Sequence, residues 1–301
     1  MTQLTRQAVQ PLIVRALSED AAYRDATSIA VIPKAARIQA AVIAKAPGIL
    51  AGGSIAAWTF QTRDTSLRCT LKCRDGQLVK PGDVILTVQG RTRSIFAAER
   101  TALNFLGHLS GVATLTAAYV RRVRGTRARI YDTRKTLPGL RVVEKNAVQA
   151  GGGQGHRVDL EQAILIKTSH LRALGQGART RGRGGNKIPI QEAVMLAKRV
   201  IPKRFVEIEV TNLAELKTAL SAKPDAILLD NWRIADIRKA VRLRSPAPRA
   251  PRPAPLLEVS GGVTLANVRV IAKTGVDRIS IGRLTHSAPS LDVSLIVVSH
   301  G

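Results

Sequence analysis

The sequence predicts the α/β class with a parallel sheet, on three observations. From Arg129 onward the chain repeats a short apolar run, a polar residue at its end and a helical segment, which is the pattern of successive βα units. Apolar residues make up 45% of the 301 residues and aromatics only 3%, a composition that suits parallel strands covered by helices better than an aromatic-rich sandwich. Before about residue 112 the pattern is different, with an amphipathic helix and short separated strands.

In chain order, strands are expected around 37–45, 67–72 and 84–88, with Lys80-Pro81-Gly82-Asp83 as a turn before the third. A long helix from about Ser94 to Val123 leads into the repeating region. Its apolar runs are 129–133, 163–167, 205–210, 226–230, 256–260 and 278–282. Asn212 with Glu215 three residues on forms a capping-box pattern, and Thr264 is placed to cap the helix that follows Gly261-Gly262. Lys167, Glu209, Asp230, Ser260 and Gly282 fall at or near the carboxyl ends of their runs, the face that carries active sites in α/β barrels. Two segments read as loops: the Gly/Arg-rich stretch Leu174 to Pro189 and the Pro-rich stretch Ser245 to Pro255.

Length predicts two domains, or one barrel with an appendage. No apolar run approaches the ~20 residues that span a bilayer. The first twenty residues have acids soon after a short apolar stretch and no convincing cleavage site, so a cytoplasmic protein is expected. Cys69 and Cys73 lack a His or Cys cluster nearby and read as reduced packing residues rather than zinc ligands. The net charge of +26 is extreme. Nucleic-acid binding ranks low, because no nucleic-acid module is recognisable, few aromatics are available to stack bases and the charge is spread along the chain. A basic surface that attracts small polyanions fits better.

The most informative stretch is Thr133-Arg134-Lys135-Thr136, followed by Gly151-Gly152-Gly153, His156-Arg157 and then Lys167 at the end of an apolar run. An Arg fork matches a carboxylate or phosphate and Lys adds a point charge, so the set suits a ligand with several acidic groups. These blocks, with Glu99 to Asn104, Leu109-Ser110-Gly111, Val206 to Val210, Leu228 to Asn231, Glu258 to Gly262 and Ile281-Gly282 to Pro289, resemble in order the carboxylating nicotinate-nucleotide pyrophosphorylases, the quinolinate phosphoribosyltransferases of NAD synthesis. The resemblance covers nearly the whole chain and is weakest before about residue 75.

The resemblance implies an N-terminal α/β sandwich domain, 1–112 with 283–301 returning to it, and an incomplete α/β barrel over 113–282. It implies phosphoribosyl transfer from phosphoribosyl pyrophosphate to quinolinate with loss of CO₂. Arg134, His156, Arg157 and Lys167 are then expected to bind the dicarboxylate, joined by Arg100 from a neighbouring subunit of a homodimer or higher oligomer, while Lys135 reaches the pyrophosphate. Glu209 and Asp230 are expected to face the ribose and Mg²⁺, directly or through water, since that ion takes oxygen ligands and keeps several waters. Ser260, Gly261, Gly262 and Gly282 are expected to offer backbone N–H groups to a phosphate at helix starts, with His286 just beyond. Glu207 shares the face of Glu209 by alternation and is expected to pair with a cation.

The family often reads IKDNH where this chain has Ile166-Lys167-Thr168-Ser169-His170, so hydroxyls replace an acid and an amide. A molybdenum-transport-associated paralogue of the same fold departs from the LIK and LLDN patterns kept here. A basic RNA-binding derivative with a decayed site is opposed by the intact cations and carboxylates.

Overall fold

The structure, a computed structural model, describes residues 4–179, 190–244 and 254–300. Its elements in order are α1 Arg6–Glu19, α2 Ala26–Val31, β1 Arg37–Ala44, β2 Gly48–Ile49, α3 Gly53–Arg63, β3 Arg68–Leu71, β4 Leu78–Val79, β5 Val84–Arg91, α4 Thr92–Val123, β6 Arg129–Tyr131, α5 Arg141–Ala150, β7 Ile164–Ile166 and α6 Thr168–Arg179. There follow α7 Ile190–Val200, β8 Val206–Val210, α8 Leu213–Ala222, β9 Ala226–Asp230, α9 Ile234–Arg244, β10 Leu256–Ser260, α10 Val268–Ala272, β11 Arg278–Ser280, α11 Arg283–His286 and β12 Val293–His300. The chain divides into two compact units. One is Met1–Ala118 with Lys135–Gly153 and Gly282–Gly301, the other Tyr119–Arg134 with Gln154–Ile281.

In the first unit β12, β1, β5 and β3 form an antiparallel sheet in that order, so the C-terminal strand lies beside the first one. Small residues on α4 let the chain return closely: a Cβ on Gly111 would stand 2.1 Å from the Pro289 carbonyl oxygen, and the Leu291 N–H donates to the Gly107 carbonyl at 2.9 Å. The turn at Lys80–Asp83 is present, with the Asp83 N–H bonded to the Lys80 carbonyl and Gly82 at φ +90°.

The second unit is built on six parallel strands in the order β6-β11-β10-β9-β8-β7. The order is cyclic except that β6 and β7 do not pair, so the barrel stays open at that edge. Register decides what the sheet does. Glu207 lies opposite Leu165 and Ala226, Glu209 opposite Leu228, Glu258 opposite Leu228 and Arg278, and Ser260 opposite Asp230 and Ser280. Because side chains alternate, Glu207, Glu209, Asp230, Glu258, Ser260, Arg278 and Ser280 share one face. The other face carries Ile166, Val206, Ile208, Val210, Ile227, Leu229, Leu257, Val259 and Ile279, all buried.

The capping pattern at Asn212 is confirmed, its Oδ1 accepting the Glu215 N–H at 2.9 Å. Three local expectations are corrected. Residues 174–179, expected in a loop, continue α6, because a helix already started at Thr168 propagates through isolated glycines at a cost of only about 1 kcal/mol each; 180–189 and 245–253 lie outside the described residues. Thr264 caps a turn rather than a helix: its Oγ1 accepts the Asn267 N–H, and α10 begins only at Val268. The helices after Gly262 and Gly282 have five and four residues, so any anion there would meet turn amides rather than a long helix dipole.

At the amino ends of the strands, Asp277 joins four elements. Its carboxylate accepts from Arg127, from Arg244 and from the Leu257 N–H at 2.8 Å, while its carbonyl accepts the Arg129 N–H at 2.9 Å. The Arg244 side chain is only 8% exposed, so removing its partner leaves a buried charge. Asp277→Ala should cost ~3–5 kcal/mol of stability in chemical denaturation. A loss below about 1 kcal/mol would show the cluster to be solvent-screened.

Candidate active site

The free edge of β6 positions the first group of cations. The Gln154 N–H donates to the Ile130 carbonyl at 2.8 Å, the Asp132 N–H to the Gln154 carbonyl at 3.1 Å, and the buried Asp132 Oδ1 accepts the His156 N–H at 2.7 Å. These bonds carry the segment 154–157 alongside the end of β6, from which the chain runs on to Arg134. Arg157 donates to the Ala163 carbonyl at 3.0 Å. Burial first, and then the charge of Arg134, lowers the Arg157 pKa, against the pull of Glu207 and Asp159. Two guanidiniums thus stand close enough to repel, and the Arg134 Nε is a buried donor without a hydrogen-bond partner. An anion between such groups would relieve both penalties.

His156 is fixed at both ring nitrogens. Nδ1 accepts the Arg157 N–H at 2.8 Å, and Nε2 lies 3.0 Å from Glu207 Oε2 and 3.5 Å from Glu258 Oε1. Glu207, expected to pair with a cation, lies against the imidazole of His156. Lys167 follows β7 directly, exposed at the carboxyl edge. Next to it, the Thr168 N–H and hydroxyl both donate to Glu209 Oε1, at 3.2 and 2.8 Å, so the hydroxyl at this position tethers a carboxylate.

Glu209 and Asp230 end adjacent strands on the same face, because Asp230 lies two residues beyond Leu228, the partner of Glu209. Asp230 Oδ2 accepts from the Asn231 side chain at 3.0 Å. Each acid keeps one oxygen to which no donor among the described residues bonds. Two hard oxygen donors on neighbouring strand ends are a donor set that fits Mg²⁺. Ser260 is opposite Asp230, and Gly261 comes so near Asn231 that a Cβ would lie 2.1 Å from Asn231 Oδ1. Gly261 and Gly262 have φ of +86° and +60°.

Within the first unit, Gly282 stands against Lys135 and His286: a Cβ would be 2.9 Å from Lys135 Cδ and 3.3 Å from His286 Nε2. The Thr285 hydroxyl donates to the Lys135 carbonyl at 2.7 Å. Arg100 lines a cavity with Asn104, His108 and Asp292. Sequence reasoning missed Asp132 and Arg278, quoted Glu258 only as part of a motif, and noted Thr168 only as a departure from the family pattern. Alternation back from Ser260 was the available signal for Glu258.

A parallel α/β sheet with two carboxylates and neighbouring cations at the carboxyl ends of its strands has the architecture of α/β barrel enzymes, whose active sites lie on that face. Comparison specifies the family. The quinolinate phosphoribosyl transferase N-terminal domain model matches residues 25–110 and the C-terminal domain model residues 112–296. The chain is 38% identical over 291 residues to the carboxylating nicotinate-nucleotide pyrophosphorylase of Mycobacterium leprae, covering 96% of each chain, and 34% identical to the probable enzyme of that name from Methanocaldococcus jannaschii, covering 96% and 97%. The nicotinate-nucleotide pyrophosphorylase structure from Francisella tularensis superposes with a TM-score of 0.86 at 36% identity over 98% of each chain. The chain belongs to the quinolinate phosphoribosyl transferase family.

The glycine geometry can be tested directly. Gly261→Ala meets both the positive φ, ~1–2 kcal/mol, and the Asn231 side chain, ~1–3 kcal/mol. Gly262→Ala meets only the first, since nothing lies within 4 Å of its Cβ position. Thermal denaturation should rank Gly261→Ala clearly below Gly262→Ala. Equal losses would contradict the close approach of the two strand ends.

Proposed function

We propose that the chain transfers phosphoribosyl from phosphoribosyl pyrophosphate to quinolinate, releasing pyrophosphate and CO₂ and forming nicotinate mononucleotide for NAD synthesis. The observation that carries this reading is the register that sets Glu209, Asp230 and Ser260 on one face, at the ends of three neighbouring strands, beside Lys167. Family membership over both domains supports it.

In this reading Arg134, Arg157 and Lys167 bind the two carboxylates, and His156 shapes that end of the site. Lys135 neutralises the pyrophosphate, and the turn amides at Ser260 to Gly262 and at Gly282, with His286, hold phosphate oxygens. Glu209 and Asp230 face the anomeric carbon and stabilise the positive charge that develops there as pyrophosphate leaves. They would also hold Mg²⁺, which supplies charge neutralisation on the leaving group when bound. The pyridine nitrogen attacks, the C2–carboxylate bond breaks with its electron pair left on C2 beside the now cationic nitrogen, and a proton from water takes up that pair. Positioning of the two substrates alone supplies ~7–11 kcal/mol in favourable cases. No covalent nucleophile is required, and the Cys69 thiol, pushed by burial up to about 12, is unsuited to be one.

Among the described residues no helix is long and apolar enough to cross a membrane; free Cys69 and Cys73 suit a reducing cytoplasm. We further propose a homodimer in which Arg100 completes the partner's site.

Purified protein with quinolinate, phosphoribosyl pyrophosphate and Mg²⁺ should form nicotinate mononucleotide and CO₂. Absence of both products, with nicotinate tested as alternative acceptor, would refute the reading. Arg157→Ala should raise KM for quinolinate about tenfold or more, the scale of one charge-assisted contact at ~1.5–3 kcal/mol, with a much smaller effect for phosphoribosyl pyrophosphate. Equal effects would remove Arg157 from the dicarboxylate.

Subunit sharing is tested by mixing. Arg100→Ala and Arg134→Ala homodimers should each be nearly inactive. Re-equilibrated at equal amounts, half the dimers become hybrids with one intact site, restoring about a quarter of wild-type activity. No recovery despite proven exchange would place Arg100 outside the partner's site.

A further inference from the structure

The barrel face carries a charged cluster that the proposed chemistry does not use. Glu207 and Glu258 are each 1% exposed, on β8 and β10. Both approach the same nitrogen of His156, and one oxygen of each, Glu207 Oε1 and Glu258 Oε2, has no hydrogen-bond partner. The groups facing Glu258 are Glu207 from β8, Arg278 and Ser280 from β11, apolar Leu228 from β9 and His156 from the segment after Gly153. Arg278 lies 3.9 Å from Glu258 Oε2, its guanidinium 4.9 Å from the centroids of both the Tyr131 and Phe205 rings.

The proton inventory follows from geometry. The Arg157 N–H donates to His156 Nδ1, so Nδ1 presents a lone pair and the ring carries its proton on Nε2, directed at Glu207. A neutral imidazole cannot balance two buried carboxylates; the charge of Arg157 favours an ionised Glu207, and Arg278, 3.9 Å from Glu258 Oε2, is the guanidinium that faces Glu258. Two acceptor oxygens without a donor also lack the hydrogen that a proton on the pair would provide.

We propose that Glu258 is a positioning residue that acts as the neutral acid: by keeping its proton it lets Glu207 alone hold His156 as the Nε2–H tautomer, and so fixes Arg157 where the dicarboxylate binds. The inference rests on the functional reading above for its link to quinolinate. Burial first, and then the charge of Glu207, pushes the Glu258 carboxyl up to about 8, against Arg278, Ser280 and any positive charge on His156. The sign follows. A pKa raised on folding stabilises the folded state fully below the unfolded value, and that contribution is lost as pH rises through the folded value. Above about pH 8 the second carboxylate ionises beside Glu207, repels it and loosens the His156–Arg157 segment.

Two measurements test this, and they fail separately. In ¹⁵N-histidine NMR of the full chain, His156 is identified among the five histidines by its loss in His156→Gln. The expected spectrum is a neutral ring protonated at Nε2 that does not titrate between about pH 6 and about pH 8. An imidazolium at pH 7, or an Nδ1–H tautomer, overturns the proposal whether or not the protein turns over quinolinate.

In steady-state kinetics, Glu258→Ala should raise KM for quinolinate by about tenfold or more, the scale of a lost contact to a charged group, with little change for phosphoribosyl pyrophosphate. Glu258→Gln, which mimics the neutral acid, should rescue most of that loss and abolish the wild type's rise in KM above about pH 8. If Glu258→Gln is as impaired as Glu258→Ala, or keeps the wild-type alkaline limb, the proton has no such role. Should Glu258→Ala fail to fold, Glu258→Gln against wild type and the NMR still decide. A chain without quinolinate activity refutes the functional reading, and the NMR then judges the protonation alone.

Discussion

Side-chain alternation in six parallel strands is the constraint on which the rest depends. Fixed register allows only two faces. One is occupied without interruption by Ile, Val and Leu, which bury against helices and supply the hydrophobic stabilisation of the unit. The other is thereby released from packing and carries Glu207, Glu209, Asp230, Glu258, Ser260 and Arg278. A shift of one residue in any strand would exchange the two sets, exposing apolar side chains and burying charges against helices. Barrel interiors are ordinarily filled with branched apolar residues. Here the interior layer holds two carboxylates, an imidazole and a guanidinium, an arrangement that is stable only when nearly every charge is paired or neutralised.

Electrostatics then sorts the chain's excess positive charge. Among the described residues many Lys and Arg are exposed, where water and salt screen their charge. A small part is concentrated and partly desolvated. The charge of Arg134 adds to burial in lowering the tolerance of Arg157 for its own charge, which favours an anion beside it. Asp132 holds the backbone that brings these groups together. The carboxylates at the neighbouring strand ends are of opposite character, so in the proposed reaction a dicarboxylate and a developing ribosyl cation would each meet a matched field.

Much of this was legible in the sequence because the physical signals are local. The runs at 226–230 and 256–260 coincide with β9 and β10, and the Asn212 cap needs only residues three apart. Glu209, Asp230 and Ser260 were placed at or near strand ends by their position in the apolar runs, and the family resemblance selected Glu209 over Glu207. What was not legible depends on tertiary proximity. Nothing local says that Glu258 meets Glu207 and His156, that Thr168 tethers Glu209, or that Arg278 stands between Tyr131 and Phe205. The reach of α6 past Leu174 was missed because glycine content argues for a loop, whereas propagation of a nucleated helix costs less than that content suggests.

The most direct measurement is a crystal structure with quinolinate bound. Arg134 and Arg157 are expected within hydrogen-bond distance of its carboxylates, with Lys167 beside them and the ring nitrogen directed toward Glu209 and Asp230. A dicarboxylate seated away from Arg134 and Arg157, or with its nitrogen turned from both acids, would contradict the assignment of this face as the site of phosphoribosyl transfer.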